Sequence, residues 1–154
     1  MTDSRLKRQA EAVNRAFHRI WHAVMMDQPD YQSETVRKLS FLEMHLIGLA
    51  HDHPDMILKE IRTHLNVPQT TLSSIIAKLE KQGLLKRVIN KRDLRSFSLE
   101  VTSSGRHILG IHRKHDYQKA KELILALDEN ERNAFIRMFT KISETISDPG
   151  HDHT

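Results

Sequence analysis

One helical pattern stops and another starts within three residues of this chain, at Asn66-Val67-Pro68, and that interruption limits what its middle can become. Before the break, residues 56–65 place Ile57, Leu58, Ile61 and Leu65 on one stripe at helical spacing. Proline lacks an N–H and pushes the residue before it out of the α region, so the first helix ends there. A second helix can begin at once, because the missing N–H costs little in a first turn. From Gln69 onward, Leu72, Ile75, Ile76 and Leu79 recur at i, i+3, i+4 and i+7, which leaves Gln69, Thr70, Ser73, Ser74, Lys78 and Lys81 on the other faces. One face packs; the other is small, polar and cationic. Gly83 ends the pattern with a residue that tolerates positive φ.

Beyond Leu84-Leu85, Phe97, Leu99 and Val101 alternate with Ser96, Ser98 and Glu100, which is the period of a strand. Between lie residues 90–95, where Lys91, Arg92 and Arg95 outweigh Asp93. This composition suits the exposed tip of a hairpin laid along a phosphate backbone, with its arginine entering a minor groove. A charged tip equally suits plain solvation, and its position after two helices favours DNA. Helix, break, helix and basic hairpin in that order predict a winged helix-turn-helix. In such a module Gln69, Thr70, Thr71, Ser73 and Ser74 would face base edges in the major groove. Lys78, Lys91, Arg92 and Arg95 would face phosphates.

The flanks read as helices. Residues 4–26 carry Leu6, Val13, Phe17, Ile20, Trp21, Val24 and Met25 on a broad stripe. Ser40 and Glu43 form a capping-box pair ahead of FLEMHLIGLA, a helix expected behind the reader. Thr102-Ser103 can cap a helix running to about Leu127. Asp128 and Glu131 form a second capping box, opening a last helix with Phe135, Ile136, Phe139, Ile142 and Ile146. The expected fold is mainly α with a small β wing. A winged-helix lobe at 38–101 is bracketed by dimerisation helices at 4–28 and 102–147, all in one unit spanning 1–154. A symmetric pair sets two recognition helices about one DNA turn apart, the spacing of a pseudo-palindromic operator. The tail at 148–154 reads as disordered, its two histidines as part of a frayed end.

Composition agrees. Of 154 residues, 38% are apolar and 29% charged, a balance that favours solvated helices over a β sandwich. The net charge of +4 is concentrated: between 78 and 95, Lys78, Lys81, Lys86, Arg87, Lys91, Arg92 and Arg95 face only Glu80 and Asp93. The absence of cysteine excludes disulfides, thiolate zinc sites and thiol redox sensing. The sequence shows neither a signal peptide nor an apolar run long enough to span a bilayer, so a cytoplasmic location is expected. It contains no glycine-rich phosphate loop, nucleophile elbow or HExxH motif, so neither an enzyme nor a cofactor is expected.

From about residue 6 to 147 the layout resembles the MarR family of bacterial transcriptional regulators. The likeness is most specific across VPQTTLSSIIAKLEKQGLLKRVINKRDLRSFSLEVTSSG, where Leu79-Glu80, Gly83, Asp93, Arg95, Leu99, Thr102 and Gly105 match the family's recognition helix and Asp-x-Arg wing. The resemblance implies a homodimeric regulator, most simply a repressor, in which Asp93 braces the wing and Arg95 reaches the minor groove. Ser74 stands where many members have arginine, which weakens the case for bidentate guanine readout there. LSFLEMH and GRHILGIHRKH are similar to the branch that represses fatty-acid synthesis genes under control of acyl carrier protein bearing a long acyl chain.

In the family an effector occupies a pocket, for which the lining candidates are Phe17, Trp21, Met25, Phe41, Met44, His45, Ile108 and His112. Taken singly, a residue at such spacing is more often an ordinary core residue. The 11 histidines raise a metal alternative. His45, His112 and Asp116 fall near zinc-binding positions of the zinc-responsive branch, but Met44 and Ile111 replace its carboxylates, and no metal is favoured. A DNA-binding adaptor with no effector remains a further alternative.

Overall fold

The computed structural model describes residues 2–26 and 34–147, and the tail at 148–154 lies outside them. Helix α1 (Thr2–Met26) is followed by a short α2 (Glu34–Lys38), which the sequence pattern does not announce. Then come α3 (Phe41–Asp52), α4 (Leu58–Leu65), α5 (Gln69–Lys81), β1 (Leu85–Ile89), β2 (Phe97–Val101), α6 (Ser103–Leu125) and α7 (Glu129–Ser147). The chain forms two compact units, Met1–His115 and Asp116–Thr154, with the boundary inside α6.

Local chemistry sets the helix ends. At α3, Glu43 N donates to Ser40 Oγ at 3.2 Å while Ser40 N donates to Glu43 Oε2 at 2.8 Å, a reciprocal cap. Asp128 and Glu131 exchange the same pair of bonds at 2.9 Å ahead of α7. Between α4 and α5 the turn passes through Asn66 at φ 50°, a left-handed position that asparagine tolerates. Gly83, at φ 69°, closes α5: its N–H reaches the Glu80 carbonyl at 2.9 Å, and Leu84 N–H reaches the Leu79 carbonyl at 2.9 Å.

The strands pair antiparallel from Leu85↔Val101 to Ile89↔Phe97. Around their base, Leu46 and Ile47 of α3, Ile61 of α4, Leu72, Ile76 and Leu79 of α5, and Leu85 and Leu99 of the sheet are fully buried, joined by Ile108 and Leu109 of α6. Each contributes about 1.5–3 kcal/mol relative to an exposed side chain. The strict alternation expected of β2 fails at its first residues. Phe97 is exposed and Ser98 buried, because Ile57 bridges to Ser98 while the sheet near Phe97 extends past the core.

Among the described residues, α1 and α7 leave rows of large apolar side chains exposed. On α1, Leu6, Val13, Phe17, Ile20 and Trp21 are exposed; on α7, so are Phe135, Ile136, Phe139, Ile142 and Ile146. Among the described residues no helix is long and apolar enough to cross a membrane.

Candidate nucleic-acid interface

The second helix of the helix-turn-helix, α5, is held by its apolar stripe. Leu72, Ile76 and Leu79 face the core, and Gln69, Thr70, Ser73 and Ser74 are exposed while Thr71 is half-buried. Gln69 Nε2 lies 3.4 Å from Ser73 Oγ, so the two polar chains share one surface. This is a row of short donors and acceptors with no charge of its own.

Lys78, expected from its helix face to meet phosphate, makes an ion pair within the chain. Its amine lies 2.6 Å from Glu43 Oε1, and the Glu43 side chain is only 6% exposed. The other oxygen of the same carboxylate caps α3, so Glu43 ties the start of α3 to α5. Burial raises the Glu43 pKa, but the Lys78 bond, the Ser40 backbone N–H and the Lys78 charge together hold it below the usual carboxylate value. The stability this pair contributes is therefore fully present above the unfolded carboxyl's pKa of 4.5, and is lost as pH falls through the lower folded value. Glu43→Gln should flatten that acid loss of stability. Urea unfolding of both proteins from neutral pH to below pH ~4 checks this; parallel pH profiles would contradict it.

The wing turn is built around Asn90, which sequence reasoning placed on an exposed tip and which is in fact fully buried. Its amide donates to the Asp55 carbonyl at 2.7 Å, while its Oδ1 accepts from the N–H groups of Arg92 at 2.8 Å and Asp93 at 2.9 Å. Its own N–H donates to the Ser96 carbonyl at 2.9 Å. Asp93 completes the turn, accepting from Ser96 Oγ at 2.6 Å and Arg95 N at 3.1 Å. Those two bonds hold its carboxyl below the usual range. An asparagine whose side-chain oxygen accepts from the N–H two residues on is an Asx-turn signature, and it is the signal the sequence offers.

The turn sorts the three wing cations. Arg92 points back, donating to the Asp55 carbonyl and lying 3.8 Å from Glu60, so it acts as a strut against α4. Lys91 and Arg95 are exposed and have no side-chain partner among the described residues. At the base of the wing, Glu80 accepts from Arg87 N at 3.1 Å, and Thr102 Oγ1 donates to the Gly83 carbonyl at 2.6 Å while accepting from Gly105 N at 3.0 Å.

The residues suggested for an effector pocket are scattered in character. Met44 and Ile108 belong to the buried core, His112 is half-buried, and Phe41 and His45 are exposed. Phe17 and Trp21 stack on α1 at 6.1 Å, and the Met25 side chain lies outside the described residues. His45 meets His64 edge to face at 6.2 Å. A cleft of about 420 Å³ lies elsewhere, lined by Asp52, His53, Pro54, Asp55, Met56, Glu60 and Arg92. Among the described residues no group of three or more His, Asp or Glu is placed to hold a metal ion, His45, His112 and Asp116 included.

A helix-turn-helix with a polar outer face, followed by a two-stranded basic wing, defines a winged helix-turn-helix protein. Residues 39–97 match the model of the MarR family. The fold is shared by Streptococcus pneumoniae FabT in complex with DNA, at 22% identity and a TM-score of 0.75, covering 93% of this chain and 98% of that one. It is shared also by Bordetella bronchiseptica BpsR, whose DNA binding is regulated by 6-hydroxynicotinic acid, at 20% identity, TM-score 0.62 and coverage of 87% and 91%. A third is the S. aureus MepR–DNA complex, at 17% identity, TM-score 0.57 and coverage of 88% and 96%. At these identities the likeness is one of fold. No curated protein matches the sequence.

Proposed function

We propose that this protein is a sequence-specific, homodimeric transcriptional regulator of the MarR type that represses by occupying a pseudo-palindromic operator. The observation that carries the reading is the exposed, uncharged polar face of α5 beside a wing whose Lys91 and Arg95 lack partners among the described residues. Gln69, Thr70, Ser73 and Ser74 read base edges, Arg95 enters the minor groove, and Lys91 contacts phosphate. The uncovered apolar faces of α1 and α7 pack against a second copy, since contiguous patches of that kind are rare on monomers. The proposed effector is an acyl chain or its carrier protein. The LSFLEMH and GRHILGIHRKH segments support it, as does the similarity to FabT.

Arg95→Ala is expected to weaken operator binding while leaving the dimer folded, and to lower the salt dependence by about one counterion. Gel shifts across a salt series on genomic fragments selected by the protein measure both. Undiminished affinity would remove Arg95 from the interface. Thermal shift with acyl carrier protein, in acylated and free forms, tests the effector, and a response to neither form would reject it.

A further inference from the structure

We infer that Leu94 is a DNA contact: an apolar wedge set against the sugar walls of the minor groove, beside Arg95. This rests on the DNA-binding reading above. At 77%, Leu94 is more exposed than any other large apolar residue among those described. Its position is enforced. The Asn90 and Asp93 side chains hold the N–H groups of Arg92, Asp93 and Arg95, so the backbone on both sides of Leu94 is fixed. With the backbone held, Leu94 stays at the tip of the hairpin, open to solvent.

The surroundings identify the occupant. Lys91 and Arg95 flank Leu94 at the tip, and neither is neutralised by an acidic group among the described residues. An apolar protein surface would leave those charges stranded on docking. A minor groove offers phosphates on both rims and apolar deoxyribose faces between them, so the charges and the leucine are satisfied together. Below the tip, Ile89 and Phe97 stand directly opposite in the strand register and stiffen the hairpin that carries it.

The two kinds of contact separate by salt. Burial of a leucine releases few counterions, whereas an arginine on the groove releases about one. Fluorescence anisotropy on an A·T-rich duplex, over a potassium chloride series, should show Leu94→Ala binding roughly tenfold weaker at every salt concentration, with the wild-type slope. Leu94→Met should retain affinity, because its volume and polarity are similar. Arg95→Ala should instead lose slope. Unchanged affinity of Leu94→Ala, or a loss confined to low salt, would overturn the proposal. A changed oligomeric state with DNA affinity intact would overturn it too, by placing Leu94 in a protein interface. Failure of the wild type to bind any duplex at low salt would sink the DNA-binding reading itself, before the variants are compared.

Discussion

Gly105→Ala is expected to destabilise the protein by about 3 kcal/mol, lowering its thermal midpoint by roughly 10 °C. In most helices this change is favourable, since alanine has the higher propensity by about 1 kcal/mol. Here the added Cβ would stand 2.2 Å from the Leu84 carbonyl oxygen and 2.8 Å from Val101 Cγ1. The first of these is backbone. Leu84 is held by the turn that ends α5 and accepts from Thr102 N at 3.1 Å, so it cannot retreat without disturbing the join between α5 and the hairpin. Gly110, in the same helix, has nothing within 4 Å of the place an added methyl group would take, and Gly110→Ala should stabilise by about 0.5–1 kcal/mol. Calorimetry of both variants decides the matter by sign. Two changes of the same direction would contradict the packing argument.

Asn90→Ala should be nearly as damaging. It strips a partner from the Asp55 carbonyl and from the N–H groups of Arg92 and Asp93, in a position with no exposure to solvent. Unsatisfied buried groups cost about 1–3 kcal/mol each, and partial hydration of a loosened turn brings the expected total to about 2–4 kcal/mol. DNA affinity should fall further than stability alone requires, because Arg95 and Leu94 lose their fixed approach. Asn90→Asp keeps an acceptor for the two N–H groups but loses the donor to Asp55, so it should fall between. Amide exchange at residues 92 and 93, with urea unfolding, measures the effect. Native protection in Asn90→Ala would remove the asparagine from its assigned part.

Helix α5 and its polar face are legible in the sequence because they depend on spacing within one helix and on a proline beside it. The caps at Ser40–Glu43 and Asp128–Glu131 were legible for the same reason, each being closed within three residues. Long-range bonds were not. Lys78 meets Glu43, and Asn90 meets Asp55, each across 35 positions, and no local pattern records either pairing. Reading Lys78 as a phosphate contact followed from its helix face alone. The partners of Arg92 at Asp55 and Glu60 are equally absent from any local pattern, since composition counts a cation without showing what it meets. Ser98 lies buried because Ile57, from another segment, covers its strand edge.

The buried amide beneath the hairpin also bears on how association proceeds. A tip already fixed before encounter surrenders little chain entropy when it seats, so less of the interaction energy is absorbed by ordering. Docking should then resemble rigid insertion, with variants of the tip altering residence time far more than the rate of capture.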